Sequence, residues 1–297
     1  MRVNPNFAPN ILNDLWQSQS QEQTALEEIS TSKRVNRPSD DPTAAAADVL
    51  NQAAQSRTDQ YLKNTSDLES MLQTADSTLS SVVTSLNQAI SLGVQGANSE
   101  LTPSNLQAIA QQVQAIQNQM VQLANTSFQG SFLFGGTLSQ SAPYVLDPSQ
   151  ADGVQYDGNS GVNSVAIADG RTMQVNLPGD QIFQGSSGNV MGSLQQLMTS
   201  LQNNDINGIS AATTQLKGAL DYVSQQRVFY GNAINQLDSN QSFLQQEKVN
   251  LQTDETSLVG ADMSEAATDL SQAQTTHQAA LAALARVIPQ SLLDYLK

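Results

Sequence analysis

The sequence predicts a mainly α-helical protein, in which segments from both chain ends form a nested bundle of long coiled-coil helices around a small β insert. Apolar residues near both ends recur at alternating steps of three and four, a spacing that places them on one side of a helix. The stretch from about 128 to 189 is instead rich in Gly, Pro and Asp, which favours strands and turns. Aromatic residues make up only 5%, too few for a dense globular core.

The composition disfavours several classes of function. The chain has 27 acidic and 12 basic residues and a formal net charge of −15, whereas nucleic acids and anionic membranes attract a surplus of Lys and Arg. It has no cysteine and one histidine, His277, which leaves no residues for a thiolate or multi-histidine metal site. We therefore expect no metal, no cofactor, no nucleic-acid or membrane partner, and no enzymatic activity.

The first predicted helix covers about residues 11–32, with a stripe that is polar in its middle and too weak to be stable alone. A proline-marked segment follows, and Asp41 and Pro42 there predict the cap and first residue of a second helix. That helix should run to about residue 92, where Gly93 and Gly96 loosen it. Its stripe is Tyr61, Thr65, Leu68, Leu72, Ala75, Leu79, Val82, Leu86 and Ala89.

Three further helices complete the predicted α-helical part. One begins at Thr102-Pro103 and ends near Thr126, and helix resumes near Val190. The longest stripe is Leu216, Leu220, Val223, Arg227, Tyr230, Ile234, Leu237, Gln241, Leu244, Lys248 and Leu251. We interpret its polar members as positions that set the register of the helices. The last stripe is Ala266, Leu270, Ala273, His277, Ala280, Leu284 and Val287, in which His277 is expected as a packed polar residue.

The middle of the chain is predicted to fold as a β insert over residues 137–188. A short strand is expected at 131–134, and a hairpin is expected at 162–177 around a type I′ turn at Asp169-Gly170. Residues 157–161, DGNSG, echo a calcium loop. However, Ala168 stands where that loop needs a bidentate acid, so an ordinary turn is favoured.

These elements predict three nested domains. Residues 1–41 and 256–297 form the terminal helical domain, residues 42–136 and 189–255 form the long-helix bundle, and residues 137–188 form the β-rich outer domain. Because the terminal stripes bury little apolar surface, we expect both ends to become ordered only when something covers them. Residues 1–10, MRVNPNFAPN, lack the apolar region of a cleaved signal peptide.

Three segments resemble the flagellin superfamily, in particular its hook-associated branch. Residues 32–42, SKRVNRPSDDP, are similar to the "GKRI…SDDP" segment that follows the first helix of that family. Residues 123–136, LANTSFQGSFLFGG, are similar to "LAN…G-x-[YF]-LF-[GS]-G". The chain end, with DMSEA at 262–266 and SLLDYL at 291–296, resembles "D-x-AEA…L…SLL-x-YL".

The resemblance implies a structural subunit of the bacterial flagellum that joins hook to filament. Such a protein is secreted unfolded by the flagellar type III exporter and assembles as a ring through its terminal helices. The implied partners are further copies of the chain, an adjacent hook-associated protein, filament flagellin or cap-proximal subunits, and an export chaperone. Filament flagellin itself and a cytosolic coiled-coil adaptor remain the alternatives.

The expected sites are two sets of residues near the chain ends. The assembly interface is predicted to include Leu12, Leu15, Trp16, Leu26, Ile29, Arg34, Arg37, Asp40, Asp41, Leu270, Leu281, Leu284 and Ile288. The chaperone site implied by the resemblance is Leu281, Leu284, Val287, Ile288, Leu292 and Leu293. Some roles remain open: Trp16 is an interface anchor or simply partly buried, and Arg34 and Arg37 bind a neighbour's carboxylates or are solvated. Asp40 and Asp41 are favoured as capping residues over a metal pair.

Overall fold

The computed structural model describes residues 7–185 and 188–295, and side chains for residues 12–185, 188–283 and 285. The chain divides into two compact units: unit 1 comprises residues 1–59 and 246–297, and unit 2 comprises residues 60–245. These boundaries differ from the predicted ones, because residues 42–59 share hydrogen bonds with residues 248–255 and so belong with the chain ends.

Seven helices account for most of the described residues, in agreement with the predicted mainly α fold. They are α1 Phe7–Thr31, α2 Pro42–Gly96, α3 Pro103–Ala124, α4 Gly179–Phe183, α5 Val190–Gln202, α6 Ile206–Val259 and α7 Met263–Tyr295. The second helix continues to Gly96 rather than ending near residue 92. None of the helices in the described ranges is long and apolar enough to cross a membrane.

The two predicted proline-marked helix starts are confirmed. The Oδ1 atom of Asp41 accepts a hydrogen bond from the Ala44 N–H at 3.0 Å, and the Thr102 hydroxyl accepts one from the Asn105 N–H at 3.3 Å. Each side chain satisfies a backbone donor that the helix itself leaves free.

The core of unit 2 is built on the predicted stripe of α2, which is buried from Leu68 to Ala89. Buried positions of α6 follow at seven-residue intervals. They are Leu216, Val223, Tyr230, Leu237 and Leu244. In α2 the same interval leads from Leu86 back through Leu79 and Leu72 to polar residues. These buried polar residues are Thr65, Thr58 and Asn51.

The alternate positions of the α6 stripe were predicted wrongly by one residue. Ala219, Ala233 and Asn240 are buried, whereas the predicted Leu220, Ile234 and Gln241 are only half-buried. The Asn240 amide donates to the Ile167 carbonyl at 2.7 Å, so the buried polar residue of this stretch connects α6 to the β region.

Two polar residues predicted to interrupt the α6 stripe lie beside it and form ion pairs with α2. Arg227 contacts Asp76 through two hydrogen bonds of 2.9 and 3.0 Å, and Lys248 contacts Asp59 at 2.7 Å. The pairs join α2 and α6 at fixed positions, which agrees with a role in register. Because these groups are about a third or more exposed, each pair contributes no more than about 1 kcal/mol.

Among the described residues, the β region of unit 2 consists of four separate two-stranded antiparallel sheets. The pairs are β1 Ser127–Phe128 with β2 Ser131–Phe132, β3 Tyr144–Leu146 with β4 Val154–Tyr156, β5 Ser164–Ala168 with β6 Arg171–Gln174, and β7 Gln184–Gly185 with β8 Gly188–Asn189. The predicted hairpin at 162–177 is therefore present as β5 and β6. The predicted strand at 131–134 is shorter, because β2 ends at Phe132.

The turn type of the predicted hairpin was wrong. A type I′ turn needs positive φ at both central residues, but between β5 and β6 only Gly170 has it, and the pairing shifts between Ala166 and Ala168. Positive φ at two consecutive residues occurs instead at Gln129 and Gly130, between β1 and β2.

Asn125, within the LAN segment, connects the end of α3 to the β region. Its amide donates to the Tyr144 carbonyl at 2.7 Å and accepts from the Tyr144 N–H at 2.9 Å. The Tyr144 ring is buried and packs edge-on against Phe183, with ring centroids 5.6 Å apart. One side chain therefore satisfies both backbone groups of the first residue of β3.

Replacing Asn125 with alanine should lower the free energy of unfolding of unit 2 by about 1–3 kcal/mol, because two backbone groups at a buried residue lose their partners. Denaturant unfolding followed by near-UV circular dichroism of the tyrosines would measure the loss. Asn87→Ala is the control, since Asn87 is exposed on α2 and bonds only within its own helix. Equal stability of the two variants would contradict the role of Asn125.

Candidate assembly surface

Unit 1 pairs the two terminal helices in antiparallel orientation. The Ser18 hydroxyl of α1 lies 3.2 Å from Nδ1 of His277 in α7. At the other end, the Ala261 N–H donates to the Ser32 carbonyl at 3.1 Å. Residue numbers therefore increase along α1 as the numbers of the α7 residues in contact with it decrease.

The contact between these helices is made mainly by small and polar side chains. The buried residues are Ser18 and Ala25 from α1 and Ala266 and Ala273 from α7. Leu15, Ile29, Leu270 and His277 are half-buried. Both predicted terminal stripes are thus confirmed over the described side chains, and His277 is the packed polar residue that was expected. Because small side chains bury little apolar area, this contact stabilises the pair only weakly.

The segment after α1 is held against the end of α6. Lys33 forms a β bridge with Gly260, and the Arg34 N–H donates to the Val259 carbonyl at 2.7 Å. Val35, Ala44 and Val259 form a small buried cluster beside it. These contacts hold the C-terminal end of α1 next to the N-terminal end of α7.

The predicted capping of α2 is confirmed for Asp41, whereas Asp40 binds backbone groups of the turn before that helix. The Oδ2 atom of Asp40 accepts hydrogen bonds from the N–H groups of Asn36 and Arg37 at 3.1 and 2.8 Å. Asp41 caps α2, and its bond from the Ala44 N–H, helped by Arg34, holds the pKa of Asp41 below its usual value. Both carboxylates therefore organise the turn between α1 and α2.

The basic residues of this segment form ion pairs within the chain. Lys33 lies 2.7 Å from Glu255, Arg34 lies 3.4 Å from Asp41, and Arg37 lies 3.2 Å from Glu27. The hydrogen bond to Glu255 raises the pKa of Lys33, and the bonds from Lys33 and Gln55 lower the pKa of Glu255. Arg34 and Arg37 are thus engaged with carboxylates of their own chain.

Unit 1 exposes several large apolar side chains. Trp16 is 72% exposed, and Leu12, Leu26 and Leu281 are about half exposed. Of the remaining predicted residues, Leu284, Val287, Ile288, Leu292 and Leu293 lie outside the described side chains. The prediction missed four further exposed residues of unit 1, which are Val49, Leu50, Val249 and Met263. The signal that could have found them is their position on the long helices away from the buried stripe.

The residues that echo a calcium loop form a turn organised by Asn159. Its Oδ1 atom accepts hydrogen bonds from the N–H groups of Thr137 at 2.8 Å and Gly161 at 3.0 Å. Within the part of the chain that the structure describes, no group of three His, Asp or Glu side chains is placed to hold a metal ion.

Comparison with known proteins identifies the class to which this helical arrangement belongs. The sequence-family model of the bacterial flagellin N-terminal helical region matches residues 3–139. The family model of the bacterial flagellin C-terminal helical region matches residues 213–296. Together they cover most of the chain, including α1 to α3, nearly all of α6, and α7. The chain belongs to the flagellin superfamily.

Within that superfamily, relatives named flagellar hook-associated protein 3 are found in two enterobacteria. The Salmonella typhimurium protein is 30% identical over 61% of this chain, and the chain spans just 56% of that relative's length. The Escherichia coli protein is 27% identical over 72% of this chain and 73% of the relative. A Bacillus subtilis flagellin is 26% identical over the full length of both chains.

Solved structures show the same fold. Bacillus cereus FlgL is 26% identical and superposes with a TM-score of 0.60, covering 70% of this chain and 99% of the solved chain. A flagellar hook-associated protein-3 from Legionella pneumophila reaches a TM-score of 0.63 at 15% identity, covering 70% of this chain and 98% of the other. The second likeness concerns the fold alone.

Proposed function

We propose that this protein is a structural subunit of the bacterial flagellum that joins hook to filament. The observation that carries the proposal is the surface of unit 1, where a weakly packed pair of terminal helices exposes large apolar side chains. Clustered exposed apolar residues mark surfaces that bind other proteins. The relatives named hook-associated protein 3 support the hook–filament junction as the place where that surface is covered.

The proposed assembly is a ring of identical chains in which neighbouring copies cover the exposed residues of unit 1. The contact of α1 with α7 relies on Ala and Ser, so lateral contacts supply the apolar burial that the helix pair lacks. Trp16, Leu12, Leu26 and Leu281 are the members of this surface whose exposure supports the proposal. The further partners are an adjacent hook-associated protein on one side, and filament flagellin or cap-proximal subunits on the other.

The proposed route to this location is secretion as an unfolded chain through the flagellar type III exporter. A chain without cysteine cannot form trapped disulfides on the way. Before export, a chaperone covers the apolar residues of the C-terminal helix, from Leu281 to Leu293. The protein acts by binding alone, and we assign it no enzymatic activity.

Deleting the encoding gene tests the proposal. We expect cells with hooks but without filaments, and flagellin shed into the medium, because filament subunits then have no surface on which to assemble. Supplying the chain again should restore filaments. Normal filaments in the deletion strain would contradict the proposed function.

A second candidate is filament flagellin itself, which the full-length match to the Bacillus subtilis flagellin favours. The two functions differ in how the purified chain polymerises. Filament fragments added as seeds should elongate into long fibres if the chain is filament flagellin. A junction subunit should stop after a short layer, which electron microscopy of the seeded sample would distinguish.

A further inference from the structure

A groove runs between α1 and α7 in unit 1, with a volume of about 480 Å³. Its floor is formed by the small buried residues Ala25 and Ala273, and its rims are polar. Along α1 it extends from Gln17 to Glu28, three helical turns or about 16 Å. A groove of this length between two helices can accept a third helix.

One end of the groove is acidic. Glu28 of α1 and Asp269 of α7 both line it, and its lining contains no Lys or Arg among the described residues. Partial burial, then the Asp269 carboxylate, raise the pKa of Glu28, against a smaller lowering by Arg34. Arg34 is itself paired with Asp41. A basic side chain from outside would therefore meet two carboxylates and no basic residue in the described lining of the groove.

A matching surface lies on α2 of the same unit. Ala46, Leu50, Ala53 and Arg57 are separated by steps of four, three and four, and all four are exposed. This exposed α2 stripe covers twelve residues from first to last, as does the groove from Gln17 to Glu28. Leu50 is 73% exposed, and Arg57 forms no ion pair with any described residue.

We propose that the α2 stripe of one copy lies in the α1–α7 groove of the next copy, with Arg57 between Glu28 and Asp269. Ala53 then comes about 6 Å before Arg57, at the level of Ala25 and Ala273. Small side chains on both partners allow the helix axes to approach closely.

Further along the groove, Leu50 lies about 10 Å before Arg57. This places Leu50 at the level of Gln21 and Thr276, where it fills the open volume and loses its exposure to water. The order of the matched residues makes α2 of one copy run in the same direction as α1 of its neighbour.

The occupant is a second copy because the groove and the stripe match in length and spacing, carry opposite charges, and are both present on each chain. Two different surfaces that bind each other make a head-to-tail contact, which generates a ring or a helical array. This inference rests on the proposed function, since it supposes that copies stand side by side. The contact of Arg57 with Glu28 and Asp269 also offsets, at this place, the repulsion between chains of net charge −15.

Charge reversal tests the contact in cells. Arg57→Glu alone, and Glu28→Lys with Asp269→Lys, should each reduce the number of filament-bearing cells at least tenfold. Combining all three changes should restore filaments, because the ion pairs are then reversed rather than lost. Lys63→Glu is the matched control, since it makes the same charge change at an exposed site of α2 away from the stripe. Filaments in the single-sided variants, or no restoration in the combination, would overturn the contact.

Cysteine cross-linking measures the contact directly, because the natural chain has no cysteine. In a chain carrying Thr24→Cys and Ala53→Cys, oxidation of isolated flagella should produce a ladder of linked copies, and neither single variant should give more than dimers. Filaments with no ladder would overturn this inference while leaving the proposed function intact. Failure of the proposed function is recognised separately, by filaments on cells that lack the chain.

Discussion

Replacing Trp16 with alanine is expected to remove most filaments from the cell while leaving the isolated protein as stable as before. The side chain is 72% exposed in the single chain, so its removal opens no cavity. In an assembly it is the largest apolar group that unit 1 offers to a neighbour. Buried tryptophans at the centre of protein interfaces commonly contribute 2 kcal/mol or more, and in a ring this loss is repeated at every contact.

The measurement is the fraction of cells with filaments, together with the melting temperature of the purified variant. Phe243→Ala is the matched control, because Phe243 is also an exposed aromatic residue but lies in unit 2. It should preserve filaments. A lowered melting temperature of Trp16→Ala would mean that Trp16 supports the fold rather than the assembly, and normal filament numbers would mean that it lies outside the interface.

Replacing Leu79 with alanine should destabilise unit 2 by about 2–5 kcal/mol, the usual cost of Leu→Ala at a fully buried site. Leu79 is completely buried, and it belongs to the buried stripe of α2, from Leu68 to Ala89, which carries the main hydrophobic cluster of the described residues. The loss has two parts, the transfer free energy of the removed methyl groups and the cavity that they leave.

Urea unfolding followed by near-UV circular dichroism of the tyrosines would report this loss, because five of the six tyrosines, at 61, 144, 156, 222 and 230, belong to unit 2. Leu138→Ala makes the same change at a half-exposed site of unit 2 and should cost less than about 1 kcal/mol. A similar effect of both substitutions would show that the buried stripe of α2 does not dominate the stability of the unit.

The elements that the sequence could predict are those with strong local signals. Pro42 and Pro103 each follow a capping residue, and a proline directly after a capping residue is a strong signal for the first residue of a helix. The buried stripe of α2 was predictable from Leu68 to Ala89, since apolar side chains that recur every seven residues lie on one side of an α-helix. The stripes of α1 and α7 kept the predicted positions over the described side chains, because their least polar and smallest residues recur at helical spacing.

The elements that the sequence could not predict depend on what packs against them. In α6, the spacing alone allows either Ala219 or Leu220 as the stripe position, and the structure buries Ala219 completely and Leu220 only in part. Gln129 adopts positive φ although glutamine has no local preference for it, so the turn between β1 and β2 is imposed by its surroundings. The apolar residues exposed on unit 1, such as Leu50, carry no local signal apart from their position away from the buried stripe of the helix.

The change along α2 from buried Asn51, Thr58 and Thr65 to buried Leu72, Leu79 and Leu86 gives this helix a graded resistance to opening. Polar layers part with little loss of hydrophobic free energy, whereas leucine layers part only when the whole core is exposed. The turns of α2 that contain the polar layers are therefore the first to open when the helix unfolds. The leucine layers remain closed longest, so partial opening of α2 leaves the main hydrophobic cluster intact.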